Sequence, residues 1–273
     1  MKYIIIVLDN NPPIFEDILF QLKYSFDKKK IENEYLRYDE ALQKNLLFNN
    51  ENHKCVFFGT KCRNFNIPND SIIIDLEQDE LFEKHFTKEI VDKQTIMCYS
   101  RYTINKIKSL YSDARVGMFR FGYSEHHDIR ENVNRDIDIF FVGSITDRRE
   151  KIFNELKQKY KCVIYTHGMF GKQRQQLYNR SKIILSMASS EYMRNFTNAS
   201  RIFPAVSTKG FVVAERCLDE EQHNILSNVC INVNYENLIH IVKYYLTFGD
   251  QREKMREKFY ENIKSMDAQI VLD

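Results

Sequence analysis

The chain lacks any apolar stretch long enough to cross a membrane or to form the core of a secretory signal. Its first apolar run, Tyr3 to Leu8, ends at Asp9, whereas a spanning helix needs about 20 such residues. Its six cysteines are scattered and form no Cys-x-x-Cys pair, which argues against a structural zinc site. We therefore predict a cytoplasmic chain without a transmembrane segment and with reduced thiols.

The chain also has little excess charge of either sign. Its 40 basic and 38 acidic residues leave a formal charge of +2, so no broad basic surface favours a nucleic acid partner. Hydrophobic residues make up 43% and charged residues 29% of the sequence. This composition excludes disorder and collagen and is typical of a globular protein.

Short apolar runs alternate with amphipathic stretches throughout, which predicts an α/β fold with parallel sheets and covering helices. Residues 123–135 are polar and aperiodic, as expected of a linker. We predict two Rossmann-like domains, residues 1–122 and residues 136–273, joined by this linker. Strands of the first domain are predicted at Tyr3–Leu8, Tyr35–Tyr38, Cys55–Gly59, Ser71–Asp75 and Thr95–Cys98.

The second half follows the same alternation. The predicted strands are Ile137–Val142, Cys162–Thr166, Ile183–Ser186, Phe211–Ala214 and Val229–Val233. Predicted helices include Ala199–Ser207 and a final one around Arg252–Lys264.

A candidate anion site follows the first of these strands. Gly143 and Ser144 end the strand, and Arg148 and Arg149 begin the next helix. In an open α/β sheet ligands bind beyond the carboxyl ends of the strands, where glycine lets a phosphate approach the backbone. A tight turn is the alternative interpretation of Gly143-Ser144.

Residues 138–215 resemble the nucleotide-sugar half of GT-B glycosyltransferases, in the group 1 and spore-maturation-like branches. Four segments carry the resemblance in order: Asp138-Ile-Phe-Phe-Val-Gly-Ser144 with Arg148 and Arg149, Val163-Ile-Tyr-Thr-His-Gly168, Leu177-Tyr-Asn-Arg-Ser-Lys-Ile-Ile-Leu-Ser186, and Ser200-Arg-Ile-Phe-Pro-Ala-Val-Ser-Thr-Lys-Gly-Phe-Val-Val-Ala-Glu215. The first half matches only as a generic Rossmann-like domain. The resemblance implies two Rossmann-like domains facing a cleft, residues 1–122 on the acceptor side and residues 136–273 on the nucleotide side. It also implies that the final helix, around Arg252–Lys264, braces the first domain. Many members carry an acidic residue where this chain has Pro204, so a retaining mechanism with paired glutamates is not implied.

The resemblance implies a metal-independent transfer of a sugar from a UDP- or GDP-linked donor to a glycan or other hydroxyl acceptor, with no obligatory cofactor. Gly143 and Ser144 would lie beside the diphosphate, and Arg148 or Arg149 would offset its charge. The nucleobase would be bordered by Tyr165, His167 and Gly168. Lys182 and Arg201 would bind phosphate or sugar oxygens, and Glu215 would accept hydrogen bonds from the ribose.

Each of these residues has a simpler interpretation. The four basic residues can be interpreted as solvated charges on helices: Arg148, Arg149, Lys182 and Arg201. Glu215 can be interpreted as a residue that caps the following segment, and His167 as a turn residue. Asn10 and Asn11 follow the first strand and are candidate acceptor-side residues.

An inverting transfer needs one general base to take the acceptor proton. The candidates for that base are Asp9, Glu16, His126 and His127. For each of them, a solvated charge in a loop is the alternative interpretation.

Three other functions remain open at this stage. Asn11-Pro12-Pro13-Ile14 resembles the Asn-Pro-Pro-aromatic motif of S-adenosylmethionine-dependent amino-methyltransferases, although Ile14 stands where an aromatic residue should stack on the flipped base. Asp75-Leu-Glu77 after a strand fits a metal-binding Asp-x-Asp variant of a GT-A transferase. A non-catalytic nucleotide-binding module would keep the donor residues without a base.

Overall fold

The computed structural model describes residues 1–8, 13–58, 65–76, 86–127, 134–196 and 199–272, with side chains except those of residues 13–16, 271 and 272. These residues form two compact units. The first comprises Met1–Phe121 and Asp267–Asp273, and the second comprises Gly122–Met266. Each unit is an α/β fold around a mainly parallel sheet, so the predicted pair of Rossmann-like folds is confirmed.

The first unit contains a seven-stranded sheet in the order β12-β6-β5-β4-β3-β1-β2, in which only β12 is antiparallel to its neighbour. One face buries Ile4, Ile6, Phe57, Ile96 and Met118 in the core. The strands are β1 Lys2–Val7, β2 Asn33–Arg37, β3 His53–Phe58, β4 Ile72–Asp75, β5 Thr95–Cys98, β6 Arg115–Arg120 and β12 Gln269–Leu272; the helices are α1 Pro13–Lys28, α2 Tyr38–Gln43, α3 Lys88–Lys93 and α4 Arg101–Leu110.

The second unit contains a five-stranded parallel sheet in the order β11-β10-β9-β7-β8. Its central strands β7, β9 and β10 are mostly buried, and each has an apolar run, as expected of a sheet covered on both faces. The strands are β7 Ile137–Val142, β8 Cys162–Tyr165, β9 Ser181–Ser186, β10 Val212–Glu215 and β11 Ile231–Val233; the helices are α5 Asp147–Leu156, α6 Gly171–Arg180, α7 Ala199–Ser207, α8 Glu220–Ser227, α9 Leu238–Thr247 and α10 Gly249–Lys264.

The units depart from the predicted boundaries in two places. The predicted linker, residues 123–135, belongs to the second unit, and the last seven residues belong to the first. The strand β12 of these last residues pairs with β6, whereas the final helix α10 belongs to the second unit. Strand β6 and helix α8 were not anticipated either. None of the described helices combines the length and apolar composition that a membrane span requires.

Candidate functional site

The carboxyl ends of the parallel strands in the second unit bring several predicted site residues to one edge of the sheet. Strand β7 leads into Gly143 and Ser144, β8 ends at Tyr165, and β10 ends at Glu215. The Gly143 N–H donates to the Tyr165 carbonyl at 2.8 Å. This edge is where an open α/β sheet binds its ligands.

The guanidinium groups of Arg149 and Arg201 both lie close to Gly143. Its φ of +145° is a conformation that L side chains rarely adopt. A Cβ at this position would lie 3.2 Å from Nη1 of Arg201 and 3.4 Å from Nη1 of Arg149. The backbone conformation therefore favours glycine, and an added Cβ would also crowd the guanidinium groups of the two arginines.

Arg149 is a buried cation held by backbone carbonyls. Its Nη1 donates to the Ser144 carbonyl at 2.8 Å, and its Nη2 donates to the Met187 carbonyl beyond β9. Burial, followed by the charge of Arg201, lowers the pKa of Arg149 to about 10. Arg149 thus remains charged at neutral pH, although the positive charge of Arg201 disfavours its own. An anion placed between the two arginines would relieve this repulsion.

Arg148 points to the same edge but is bound by a buried carboxylate. Both terminal nitrogens of Arg148 contact Glu215, with Nη1 2.7 Å from Oε2, and its Nε donates to Glu191 at 3.0 Å. The guanidinium carbon lies 3.9 Å from the centre of the Tyr235 ring, at cation–π distance. Burial opposes the charge of Arg148, but the hydrogen bonds to Glu215 and Glu191 outweigh it and raise its pKa.

Glu215 is enclosed by protein donors. Its side chain is 1% exposed, its Oε2 accepts a hydrogen bond from the Ala188 N–H at 3.0 Å, and Nε of Arg194 lies 3.5 Å from Oε1. A ribose hydroxyl would have to displace one of these donors to reach it. The geometry therefore favours Glu215 as the residue that fixes Arg148 and the loop after β9.

The loop after β8 is the open part of the edge. Tyr165 is 38% exposed, and Nδ1 of the exposed His167 lies 3.0 Å from the Thr166 hydroxyl. Gly168 has a φ of +72°, and a Cβ there would meet no atom within 4 Å. The space around Gly168 is therefore open.

Lys182 does not reach this edge. It stands near the amino end of β9, where Ser181 pairs with Ile137 at the start of β7, and its Nζ contacts the Asp138 carboxylate at 2.7 Å. Because the two ends of a strand lie at opposite edges of a sheet, Lys182 is separated from Gly143 by the length of the strand. The prediction that it binds the donor finds no support in its position.

The candidate acceptor-side residues are mostly beyond the described residues. Asp9, Asn10 and Asn11 fall in the undescribed segment, and Glu16 lies in the part of α1 whose side chains are not described. Their roles stay predictions.

His127 is described, and its setting does not suit a general base. The ring is fully buried, and its Nδ1 accepts from the Gln175 amide at 3.0 Å. Burial lowers the pKa of His127 to about 3, so the ring has little affinity for an acceptor proton at neutral pH.

The buried neutral His127 should make the second unit acid-sensitive. An unfolded histidine takes up a proton near pH 6.5, whereas the folded ring does so only near pH 3, so stability is full above pH 6.5 and falls as the pH drops. We expect His127 to account for a loss of about 1.4 kcal/mol in the free energy of unfolding between pH 7.5 and 5.5. Denaturant titrations should show a flatter pH profile for His127→Gln. The exposed His167→Gln should retain the wild-type profile, and an unaltered profile in His127→Gln would contradict the assignment.

No metal centre is apparent within the described ranges, which hold no group of three or more His, Cys, Asp or Glu side chains suited to a metal. Asp75 ends β4 and is buried, and Glu77 lies beyond the described residues. Asp136 and Asp138 lie at the amino edge of the second sheet, bonded to Lys161, Arg180 and Lys182.

Sequence reasoning missed Glu191, Arg194 and Tyr235, which complete the surroundings of Arg148 and Glu215. Each follows the carboxyl end of a strand, Glu191 and Arg194 after β9 and Tyr235 after β11. The rule that ligands bind beyond the carboxyl ends of strands identified Gly143 and also applies to these three residues. The loops after β9 and β11 contain many polar residues, however, and the rule does not say which of them contribute to the site.

A protein-family model matches most of the second unit. Residues 146–266 match a family model described as glycosyl transferase-like. Among curated protein sequences, none matches the chain significantly.

Solved structures share the fold over nearly the whole chain. One is WaaG, a glycosyltransferase involved in lipopolysaccharide biosynthesis, with a TM-score of 0.59, 8% identity, and coverage of 97% of this chain and 95% of that one. An α-glucosyltransferase in complex with UDP and mismatched DNA has a TM-score of 0.60, 11% identity, and coverage of 98% and 95%. Sucrose-phosphate synthase from Thermosynechococcus elongatus has a TM-score of 0.55, 8% identity, and coverage of 98% and 95%.

Proposed function

We propose that this chain, a glycosyltransferase with the GT-B fold, moves a sugar from a nucleoside diphosphate donor to a hydroxyl acceptor. The donor diphosphate would lie at Gly143 and Ser144, against Arg149 and Arg201. The nucleobase would lie beside Tyr165 and Gly168. A UDP or GDP donor fits this proposal, and one structure with the same fold was solved with UDP.

The convergence of Arg149 and Arg201 on Gly143 is the observation that carries the proposal. Arg148 and Arg194 are bonded to the carboxylates of Glu191 and Glu215, whereas Arg149 is bonded to backbone carbonyls and its charge is opposed by that of Arg201. A diphosphate at Gly143 would offset this repulsion. The backbone at Gly143 carries no side chain that would keep a phosphate away.

The charges of Arg149 and Arg201 would also stabilise the diphosphate as a leaving group. As the bond between the sugar carbon and the phosphate oxygen breaks, negative charge builds on that oxygen, and fixed cations at the site stabilise it. Arg149 is held in place by the Ser144 and Met187 carbonyls, so little reorganisation is needed. Arginine also offers paired donors that match phosphate oxygens.

We assign the charge stabilisation to these arginines and not to a divalent ion, so the proposed transfer is metal-independent. The alternative, a metal held by Asp75 and Glu77 in the first unit, predicts that a chelator abolishes turnover. Chelator-insensitive hydrolysis of the donor would argue against it.

The acceptor would bind the first unit, with Asp9 or Glu16 as the base that accepts the hydroxyl proton. A glycan is the acceptor class we propose, with no nucleic acid expected and a cytoplasmic location. A panel of glycans and simple alcohols would test this part of the proposal.

Titration calorimetry with UDP, GDP and S-adenosylmethionine separates the candidate functions. We expect saturable binding of one nucleoside diphosphate, slow hydrolysis of the matching sugar donor, and no binding of the methyl donor. Tight binding of S-adenosylmethionine without nucleotide binding would support the methyltransferase suggested by Asn11-Pro12-Pro13 and end the present proposal. Donor binding without turnover on any acceptor would favour the non-catalytic module.

A further inference from the structure

The first unit contains a cavity that the proposed transfer does not use. It has a volume of about 480 Å³ and is lined by residues near the amino ends of β1, β3, β4 and β5, by the end of α1 and by the start of β12. Its lining from the strands includes Tyr3, Lys54, Ile72, Thr95 and Met97. A volume of this size, apolar with few polar groups, is typical of a small-molecule site.

The strand register explains why the cavity exists. Tyr3 pairs with Lys54, Ile72 pairs with Thr95, and Met97 pairs with Gly117, so these residues point to the same face of the sheet. Gly117 contributes no side chain to that face. The ring of Phe26, in the last turns of α1, lies 5.0 Å from the ring of Tyr3 at an angle of 44° and forms one wall.

The opposite wall comes from the segment that begins β12. Ala268, Gln269 and Ile270 line the cavity, and the Ala268 N–H donates to the Ser25 hydroxyl of α1 at 2.8 Å. Lys28 of α1 also contacts the Asp267 carboxylate at 2.8 Å. Two elements far apart in sequence thus hold the cavity open without filling it.

The charge at the rim is positive. Lys29 and Lys54 both line the cavity. Asp267 lies 3.8 Å from Lys29 but is already bonded to Lys28, and among the described residues no carboxylate lies within ion-pair distance of Lys54. Aliphatic lysine stems can border an apolar chain while their ammonium groups meet an anion.

We propose that this cavity binds an amphipathic anion, an aliphatic chain that ends in a carboxylate or a phosphate. The chain would lie against Ile31, Ile72, Met97 and Ile270, and the anionic group would lie between Lys29 and Lys54. The residues that line it differ from Gly143, Arg149 and Arg201, to which we assign the donor diphosphate. The two sites can therefore be tested separately.

The test is titration calorimetry of the full chain with dodecanoate, dodecyl phosphate and dodecanol. We expect saturable binding of at least one anion, weaker binding of the alcohol, and at least about a tenfold loss of anion affinity in Lys54→Glu. Comparison of the two anions identifies the preferred head group. Lys88→Glu, a charge reversal on exposed α3, should leave all affinities unchanged.

A second variant tests the apolar wall. Ile72→Gln should weaken the binding of anion and alcohol alike, and donor nucleotide affinity should be unaffected in both cavity variants. Circular dichroism and thermal unfolding confirm that each variant is folded. The proposal is overturned if no anion binds the wild-type chain saturably, if Lys54→Glu binds as the wild type does, or if Lys88→Glu loses the same affinity.

Discussion

Arg201→Ala is expected to lower kcat/KM for the nucleotide-sugar donor by about 10²- to 10³-fold, the loss typical when one fixed donor to a developing anion is removed. The reason is that Arg201 reaches Gly143 from α7 and is one of two guanidinium groups at the proposed diphosphate position. Donor hydrolysis with water as the acceptor measures this effect without knowledge of the natural acceptor. Calorimetry with the nucleoside diphosphate should show weakened binding as well.

Two variants make this result specific. Lys182→Ala removes the same charge at the opposite edge of the sheet and should keep wild-type donor affinity. Arg201→Lys keeps the charge without the paired donors and should fall between the wild type and the alanine variant. Unchanged kinetics in Arg201→Ala would remove this residue from the site and weaken the assignment of the diphosphate to Gly143.

Glu215→Ala is expected to lower the free energy of unfolding by about 3 kcal/mol, because it leaves the charge of Arg148 without its buried partner. Glu215 is 1% exposed and engages both terminal nitrogens of Arg148. Denaturant unfolding at neutral pH measures the loss. Arg148→Met combined with Glu215→Leu should recover most of it, since an apolar pair replaces the buried charges.

Glu191→Ala is the matched control. It removes the other carboxylate bonded to Arg148, but Glu191 is 68% exposed, and exposed ion pairs contribute little. We expect a change within about 0.5 kcal/mol. A similar loss in Glu191→Ala and Glu215→Ala would show that the burial of Glu215 is not what matters.

The sequence predicted the second sheet well because its signals are local. Strand β7 and helix α7 lie where the apolar runs predicted them, at Ile137–Val142 and Ala199–Ser207. The first sheet was harder to predict. Strand β6 begins and ends with arginine and contains Gly117, and β12 is completed only by pairing with residues about 150 positions earlier. Long-range pairing of this kind leaves no mark in a short window of sequence.

In the candidate site, too, local sequence signals predict some of the residues but not the contacts between distant loops. The strand-end rule located Gly143 and its neighbours, and the family resemblance added Arg201. Neither the rule nor the resemblance could predict that Glu215 forms an ion pair with Arg148, because that pairing depends on how two loops meet in space. Lys182 was included on the resemblance alone, although its place before an apolar run already put it at the amino end of its strand.

The order in which the chain is synthesised has a consequence for the first unit. Its edge strand β6 leaves the ribosome before the second unit, and its partner β12 emerges only after Gly122–Met266 have been made. At typical elongation rates this interval is roughly 7–30 s. Throughout it the nascent chain carries an unpaired strand edge, a template for association with other chains, so chaperone occupancy during translation should be greatest in this window.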